Sequence, residues 1–238
     1  MDKKKTIAPR ERRQKGIAPP ERRRVRRNNV ADAEQLRADL LDAAMQLFAH
    51  GGMDAVSMRA VAAKVGVSAM APYRYFTDKA ELLSGLWQFV VRAVHDQMAP
   101  AIAAAHGGRA KQRVSIDVFL RYWEAHPDHY RLVYMTASPT QRGDDSALRQ
   151  APVYAEMLQL VQGVTADLAA ELGVGMTHAK LAGDIRFAMQ LGYLQAVLVN
   201  QRFPWSERPS LREAYIEQII ATVERCLVQG PLATPAKT

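Results

Sequence analysis

The chain has 238 residues, of which 48% are apolar and 24% charged, a balance typical of a globular protein with a full hydrophobic core. Its one cysteine, Cys226, excludes an intramolecular disulfide and favours a reducing compartment, so we expect a cytoplasmic protein. No apolar run reaches about 18 residues, which excludes a transmembrane helix, and we expect no membrane partner. The basic start lacks the apolar stretch of a secretory signal. Abundant alanine and leucine favour an all-α fold.

The formal charge of +8 is concentrated at one end of the sequence. Residues 1–30 hold twelve basic and three acidic residues, whereas the rest of the chain is close to neutral. Because like charges repel and few apolar side chains are present, we expect this arm to be disordered in the free protein. Two interpretations stay open: an arm that binds DNA phosphates and releases their counterions, and a solubilising or accidental extension.

Helical periodicity starts near Asp32 and predicts a long first helix. Gly51 and Gly52 follow its last apolar residues and should end it, because glycine is favoured after the last turn of a helix. Ser57 has the side chain of a helix N-cap and should begin a second, short helix. Gly66 should end that helix after two turns.

A third and a fourth helix follow in the same way. Ser68 is placed to cap a third helix at residues 69–75, and Asp78 to open a fourth with Glu81 as its capping-box partner. Two short helices joined by a tight glycine turn are typical of a helix-turn-helix, whose second helix reads DNA. A generic three-helix bundle is the alternative.

Residues 67–83 read VSAMAPYRYFTDKAELL and are similar to the signature of the TetR family of bacterial transcriptional regulators. The Val-Ser turn, the Tyr-x-Tyr-Phe ending and the Lys followed by Glu-Leu-Leu carry the resemblance, and residues 57–62 fit its upstream half. The resemblance implies an all-α protein with a three-helix helix-turn-helix DNA-binding domain at residues 31–83. Residues 84–238 would then form a helical ligand-binding and dimerisation domain.

The resemblance also implies which side chains touch DNA. Lys79 and two tyrosines would bond phosphates, and two serines at helix starts would do the same. Ala69, Met70 and Pro72 would face bases, and Arg59 would reach a base edge. The sequence departs from the family at this point, because the family often has Gly in place of Met70 or Ala71 and Leu or Ile in place of Pro72. The alternative is that the tyrosines pack in the core and the basic side chains are solvated. The candidates are Arg37, Ser57, Arg59, Ser68, Ala69, Met70, Pro72, Tyr73, Tyr75 and Lys79.

Further helices are predicted near residues 111–125, 127–136, 150–171, 177–200 and 210–228, and Pro100 should perturb or end the fourth helix. Residues 181–199 are nearly apolar all round, so this helix must be covered on several sides. In the TetR family the last two long helices form the dimer interface, and the alternative is a helix pair buried within one protomer. The interface candidates are Ala188, Gly192, Ala196, Val199, Leu211, Tyr215 and Ile219.

A cavity lined by aromatic side chains among the middle helices would suit a flat or apolar small molecule, and the alternative is that these side chains are ordinary core. The candidate pocket residues are Trp87, Phe119, Tyr122, Trp123, Tyr134, Tyr154, Phe187 and Gln190. His126 and His129 are three residues apart, but no further ligands complete a metal site. We find no catalytic motif, and we expect neither an enzyme nor a cofactor other than an unidentified small-molecule effector.

The sequence therefore predicts a homodimeric transcriptional regulator, a repressor that a small-molecule effector releases from a near-palindromic double-stranded DNA operator. The alternative is a low-specificity DNA-compacting protein driven by the basic arm. Segment 31–83 has seven acidic and five basic residues, so its own non-specific attraction to DNA should be weak. The arm would supply that attraction.

Overall fold

The structure, a computed structural model, describes residues 21–136 and 150–230, and the secondary structure within these ranges is helical with no strand. This confirms the all-α fold class. The chain divides into two compact units, Met1–Ala38 and Asp39–Thr238. The elements are α1 (Glu21–Ala55), α2 (Met58–Val65), a 3-10 turn (Pro72–Arg74), α3 (Lys79–Ala104), α4 (Gly108–Ala125), α5 (Pro127–Tyr130) with a π-helical turn (Arg131–Met135), α6 (Pro152–Glu171), α7 (Ala179–Leu194) with a π-helical turn (Gln195–Val199), and α8 (Arg208–Gln229).

Helix α1 begins at Glu21, within the segment that was expected to be disordered. That expectation is wrong for residues 21–30, and residues 1–20 lie outside the described residues. Neither proline nor glycine occurs between Glu21 and His50, and arginine is among the better helix formers. Helix propensity therefore outweighs the charge repulsion, and Pro20 precedes the first helical residue.

The glycine pair ends the regular part of α1, as predicted. Gly52 has a φ of 64° and a ψ of −159°, which interrupts the helix before a last turn to Ala55. Upstream of this interruption, α1 buries one apolar stripe that includes Leu40, Ala44 and Phe48. The three-to-four-residue spacing of this stripe is the pattern that predicted the helix.

Helix α3 runs through Pro100 to Ala104, so Pro100 does not end this helix, which was one of the two effects expected of it. Proline removes one backbone hydrogen bond and crowds the preceding turn. Met98 and Ile102 on either side of it are buried, and their packing keeps the last turn in place. Helix α3 is therefore longer than predicted.

Helix α4 is the centre of the C-terminal helices and packs against α3, α6, α7 and α8. It approaches α6 so closely that a Cβ at Gly108 would lie 2.4 Å from the carbonyl oxygen of Asp167. Arg109 and Arg113 join α4 to α8 through ion pairs with Glu217. The five helices predicted for this part of the chain are present within a few residues of their expected bounds. Among the described residues, no helix is both long and apolar enough to cross a bilayer.

Candidate functional site

Local hydrogen bonds fix both ends of α2. The Oγ of Ser57 accepts a hydrogen bond from the N–H of Ala60 at 3.1 Å, which makes Ser57 the predicted N-cap. Gly66 has a φ of 82°, in the left-handed region, and its N–H donates to the carbonyl of Ala62 at 3.0 Å. A side chain at this position would be strained, so glycine sets the tight turn that leads into the next segment.

The segment after this turn differs from the prediction, because residues 69–75 do not form an α-helix. Only Pro72–Arg74 is helical, as a single 3-10 turn preceded by Ala71, so Ser68 is not a helix N-cap. Tyr75 donates its N–H to the carbonyl of Pro72 at 2.9 Å. Proline has no N–H to give to the residue four before it and crowds that residue's carbonyl, which disfavours an α-helix here.

The expected base-facing role of Pro72 is also wrong, because Pro72 is buried. Met70 and Tyr73 are instead the exposed large hydrophobic side chains of this segment, at 70% and 49%. The neighbouring Ser68 and Ala69 are exposed as well. We call residues 68–75 the recognition segment, since its outer surface is presented to solvent by the α2 turn.

Helix α3 begins with the predicted capping pair. The Oδ1 of Asp78 accepts a hydrogen bond from the N–H of Glu81 at 2.8 Å, and Glu81 in return accepts from the N–H of Thr77 at 2.6 Å. The Nζ of Lys79 donates to the carbonyl of Met53 at 2.8 Å, a contact the sequence did not reveal. An ammonium has three N–H donors, so the exposed Lys79 can bind a phosphate while it joins α3 to the end of α1.

The remaining DNA candidates are accessible. Ser57 and Arg59 are exposed at the start of α2, and Tyr75 is half-buried. Arg37 is exposed on the part of α1 that belongs to the first compact unit. Within the second unit, the structure thus presents the α2 start, the recognition segment and the α3 start to solvent.

Arg131 makes a further contact that sequence reasoning missed. Its Nη2 donates to the carbonyl of Ala49 at 3.4 Å, its guanidinium lies 5.8 Å from the ring centroid of Phe48, and it pairs with Asp128 at 2.8 Å. An open groove of about 360 Å³ lies between the end of α1 and the turn after α5, with Arg131 and Met135 in its wall. Arg131 therefore links the C-terminal helices to the end of α1.

The structure brings part of the predicted pocket together. Phe119 lies 5.9 Å from Trp123 and 6.3 Å from Phe187, measured between ring centroids. Tyr134 lies 5.2 Å from Trp123 and 6.2 Å from Phe187. Tyr122 joins this group through Trp123, at 5.1 Å. We call these five residues the aromatic cluster.

The other pocket candidates occupy different positions. Trp87 and Tyr154 form a separate pair with ring centroids 6.0 Å apart. Gln190 is buried on α7, in the turn after Arg186. Arg186 itself is only 3% exposed, although residues 181–199 were interpreted as nearly apolar.

Two histidines border the aromatic cluster. The Nδ1 of His129 lies 2.7 Å from the hydroxyl of Tyr122, and the rings of His126 and His129 stack with centroids 4.9 Å apart. Burial lowers the pKa of His129 to about 4, with a smaller contribution from His126, and burial raises the pKa of Tyr122 to about 12. In the part of the chain that the structure describes, no three His, Cys, Asp or Glu side chains form a group suited to a metal ion.

The predicted interface helices present an exposed face, with one correction. Ile219 is fully buried within the protomer, so it cannot contact a second copy from its present position. Ile219 lies on the side of α8 that faces the core, together with the buried Ile216 and Ile220. On α7, Ala188, Gly192 and Val199 are exposed. The half-buried interface candidates are Ala196, Leu211 and Tyr215.

Comparison with known proteins places the helix-turn-helix in a family. Residues 40–86 match the model of the bacterial regulatory proteins of the tetR family. Over 109 residues the chain is 28% identical to the HTH-type transcriptional activator FasR of Mycolicibacterium smegmatis, which covers 46% of this chain and 50% of FasR. Over 62 residues it is 34% identical to the HTH-type transcriptional regulator AcrR of Shigella flexneri, which covers 26% of this chain and 29% of AcrR. The matches thus span half or less of these curated relatives.

A solved structure resembles the chain over a longer range. The transcriptional regulator FadR of Bacillus subtilis, in complex with stearoyl-CoA, superposes with a TM-score of 0.65 at 15% identity. The match covers 78% of this chain and 98% of that one, and at this identity it shows the fold alone. Residues 40–86 therefore match the bacterial regulatory proteins of the tetR family, and the partial similarity to FasR and AcrR agrees with that match.

Proposed function

We propose that this protein is a site-specific DNA-binding transcriptional regulator that acts as a homodimer and represses until a small-molecule effector binds. The observation that carries the proposal is the recognition segment, which exposes Met70 and Tyr73 directly after the α2 turn of a tetR-type domain. Large exposed apolar side chains on such a short segment do not contribute to a core. They suit contact with base methyl groups and phosphates in a major groove.

The polar side chains around this segment set the register on DNA. Ser57 and Lys79 lie at helix starts, where unpaired N–H groups and the helix dipole attract phosphate. The hydroxyl of Tyr73 adds a further phosphate donor, and the exposed Arg59 at the start of α2 would reach a base edge. These contacts position the protein, whereas Ala69 and Met70 supply sequence preference.

A dimer would place two recognition segments in successive turns of one DNA duplex. The exposed small and apolar residues of α7 support self-association, because Ala188 and Gly192 allow two helices to approach closely. The operator would then be two-fold symmetric. We expect substitution of Gly192 by Glu to give a monomer in sedimentation and to weaken operator binding with it.

The aromatic cluster supports an effector site in the C-terminal helices. FadR, which shares the fold, is described in complex with stearoyl-CoA, so this fold can hold an organic effector. Arg131 supplies a route by which a change at α5 reaches the end of α1. Because coupling between two sites is reciprocal, operator DNA should weaken effector binding as much as effector weakens operator binding.

Selection of bound fragments from a random duplex pool by the full chain tests the proposal. We expect an enriched two-fold-symmetric motif, and we expect Met70→Ser to change the preferred bases while Arg121→Met, an exposed arginine on α4, leaves them unchanged. Binding without any enrichment would contradict the proposal and favour the DNA-compacting alternative. A reporter gene under the selected operator then shows whether the protein represses or activates transcription. We expect repression, although the relative FasR is named an activator.

The basic arm has its own test. Residues 1–20 carry seven basic residues, and their deletion leaves α1 intact. We expect the truncated protein to bind all sequences more weakly and with a smaller salt dependence, while the enriched motif stays the same. An unchanged salt dependence would contradict a role of the arm in DNA binding.

A further inference from the structure

A buried polar seam lies where α4 crosses α7. Gln112, Ser115 and Arg186 are all at most 3% exposed. The Nη1 of Arg186 donates to the Oε1 of Gln112 at 3.4 Å and to the Oγ of Ser115 at 3.3 Å. Both acceptors are neutral and both distances are long for hydrogen bonds. The seam therefore solvates the guanidinium poorly.

No carboxylate neutralises this guanidinium within residues 21–136 and 150–230. The described ion pairs of the chain involve other arginines, such as Arg212 with Glu124 at 2.5 Å. Burial alone accounts for the shift in the pKa of Arg186, which falls to about 10, so the side chain stays charged at neutral pH. A buried cation without an anion is costly and is uncommon in proteins unless something pairs with it.

The buried side-chain atoms without a hydrogen-bond partner in this region are all hydrogen-bond donors. In the described part of the chain, three buried side-chain atoms lack a hydrogen-bond partner: the Nε of Arg186, the Nε2 of Gln112 and the Nε1 of Trp123. Each of them is an N–H donor. The seam and the adjoining aromatic cluster are therefore short of acceptors, and a molecule that completes them must accept hydrogen bonds.

The surroundings of the seam are apolar and open on one side. Phe187 follows Arg186 in the chain, is 44% exposed, and packs against Phe119. One turn before Arg186, a Cβ at Gly183 would find no atom within 4 Å. An elongated ligand could thus enter beside Phe187 and leave its apolar body on aromatic rings.

We infer that the effector is an amphipathic organic carboxylate, whose acid group pairs with Arg186 and Gln112 and whose apolar body packs on Phe119 and Phe187. This rests on the proposed function, which requires an effector site. A carboxylate is planar and accepts two parallel N–H bonds, which matches the Nε edge of a guanidinium. It supplies the negative charge and the acceptors that the seam lacks.

Calorimetric titration of the full chain with matched ligands tests this inference. The probes are phenylacetate, 4-phenylbutyrate and 8-phenyloctanoate, each paired with its primary amide, which keeps the shape and removes the charge. We expect at least one carboxylate to bind roughly 10- to 100-fold more tightly than its amide, the usual effect of a hydrogen bond to a charged group. Arg186→Met should abolish this preference without weakening the amide, and Arg186→Lys should retain part of it.

Arg121→Met is the matched control, because Arg121 lies on α4 but is exposed and paired with Asp117 at 2.8 Å. It should leave the preference for carboxylates unchanged. The inference is wrong if no carboxylate binds more tightly than its amide, or if the preference survives in Arg186→Met. Binding of the selected operator, measured on the same samples, separates the two proposals. If the wild-type protein binds its operator but shows no preference for carboxylates, only the proposed class of effector is wrong. If the protein has no preferred operator, the proposed regulatory function is wrong.

Discussion

The recognition segment and the α4–α7 seam both depart from the usual distribution of side chains, in opposite directions. The recognition segment exposes Met70 and Tyr73, whereas the seam buries the charged Arg186. Folding alone favours neither arrangement, because apolar side chains gain by burial and charges lose by it. Each has a partner outside the chain in our proposals: DNA for the exposed segment and a carboxylate for the buried seam.

The two regions differ in what they cost the fold. An exposed methionine or tyrosine costs little, so the recognition segment can change without loss of stability. A buried guanidinium without a carboxylate destabilises the folded state, so its replacement should do the opposite of a normal core substitution. Substitutions in the recognition segment should therefore change DNA binding without changing stability, whereas substitutions of Arg186 should raise stability and weaken ligand binding.

The largest expected effect concerns what holds the recognition segment in place. Phe76 follows it and is only 1% exposed, so Phe76→Ala removes a fully buried ring. We expect a loss of about 3–5 kcal/mol in the free energy of unfolding, measured by urea denaturation. Operator binding should fall with it. A loss below about 1 kcal/mol would show that the segment is not anchored through this ring.

The next effect has the opposite sign. Arg186→Met removes a buried charge and leaves an unbranched apolar side chain, and we expect the free energy of unfolding to rise by about 1–4 kcal/mol in the absence of ligand. The exposed pair at Arg121 is worth about 1 kcal/mol or less, so Arg121→Met should change little. A clear decrease for Arg186→Met would mean that its bonds to Gln112 and Ser115 outweigh the cost of burial.

A smaller effect separates binding from stability at the recognition segment. Tyr73→Phe removes one hydroxyl from an exposed ring, so the free energy of unfolding should stay within about 0.5 kcal/mol of wild type. Operator affinity should fall by about 1 kcal/mol, the contribution of a typical hydrogen bond, in a fluorescence anisotropy titration. Equal affinity in both proteins would show that the hydroxyl does not bind phosphate.

The sequence predicted most features that depend on neighbours within about four residues, except the third helix, where Ser68 does not cap and Pro72 disfavours an α-helix. Ser57, Gly66 and the pair of Asp78 with Glu81 act through local hydrogen bonds, and all occur as expected. The helices of the C-terminal part follow from their apolar spacing, and the family resemblance came from a contiguous run of residues.

Features that depend on packing between distant segments were not predictable in this way. The inward position of Pro72 and Ile219 depends on what each helix or turn packs against, which spacing alone does not reveal. Arg186 was hidden because it stands in an apolar stretch, and its partners are on α4, over 70 positions away. The start of α1 differs from the expectation because the helix propensity of its arginines outweighs their charge repulsion.

The smallest expected effect is a pH dependence of stability caused by the partly buried His129. His129 borders the aromatic cluster against Tyr122, His126 and Asp128, and burial lowers its pKa from 6.5 to about 4. Between these values the unfolded chain binds the proton and the folded chain does not, so stability is full above pH 6.5 and falls as the pH drops toward 4. Because the site is partly solvated, we expect this histidine to account for only about 1 kcal/mol of that loss. His129→Gln keeps an acceptor for Tyr122 and does not titrate, so the unfolding free energy of this variant should depend less on pH in this range. Arg121→Met, which leaves every histidine in place, is the control and should keep the wild-type pH dependence. If both variants follow the wild-type curve, the folded protein accepts the proton at His129, and the low polarity inferred beside Arg186 does not extend to this end of the cluster.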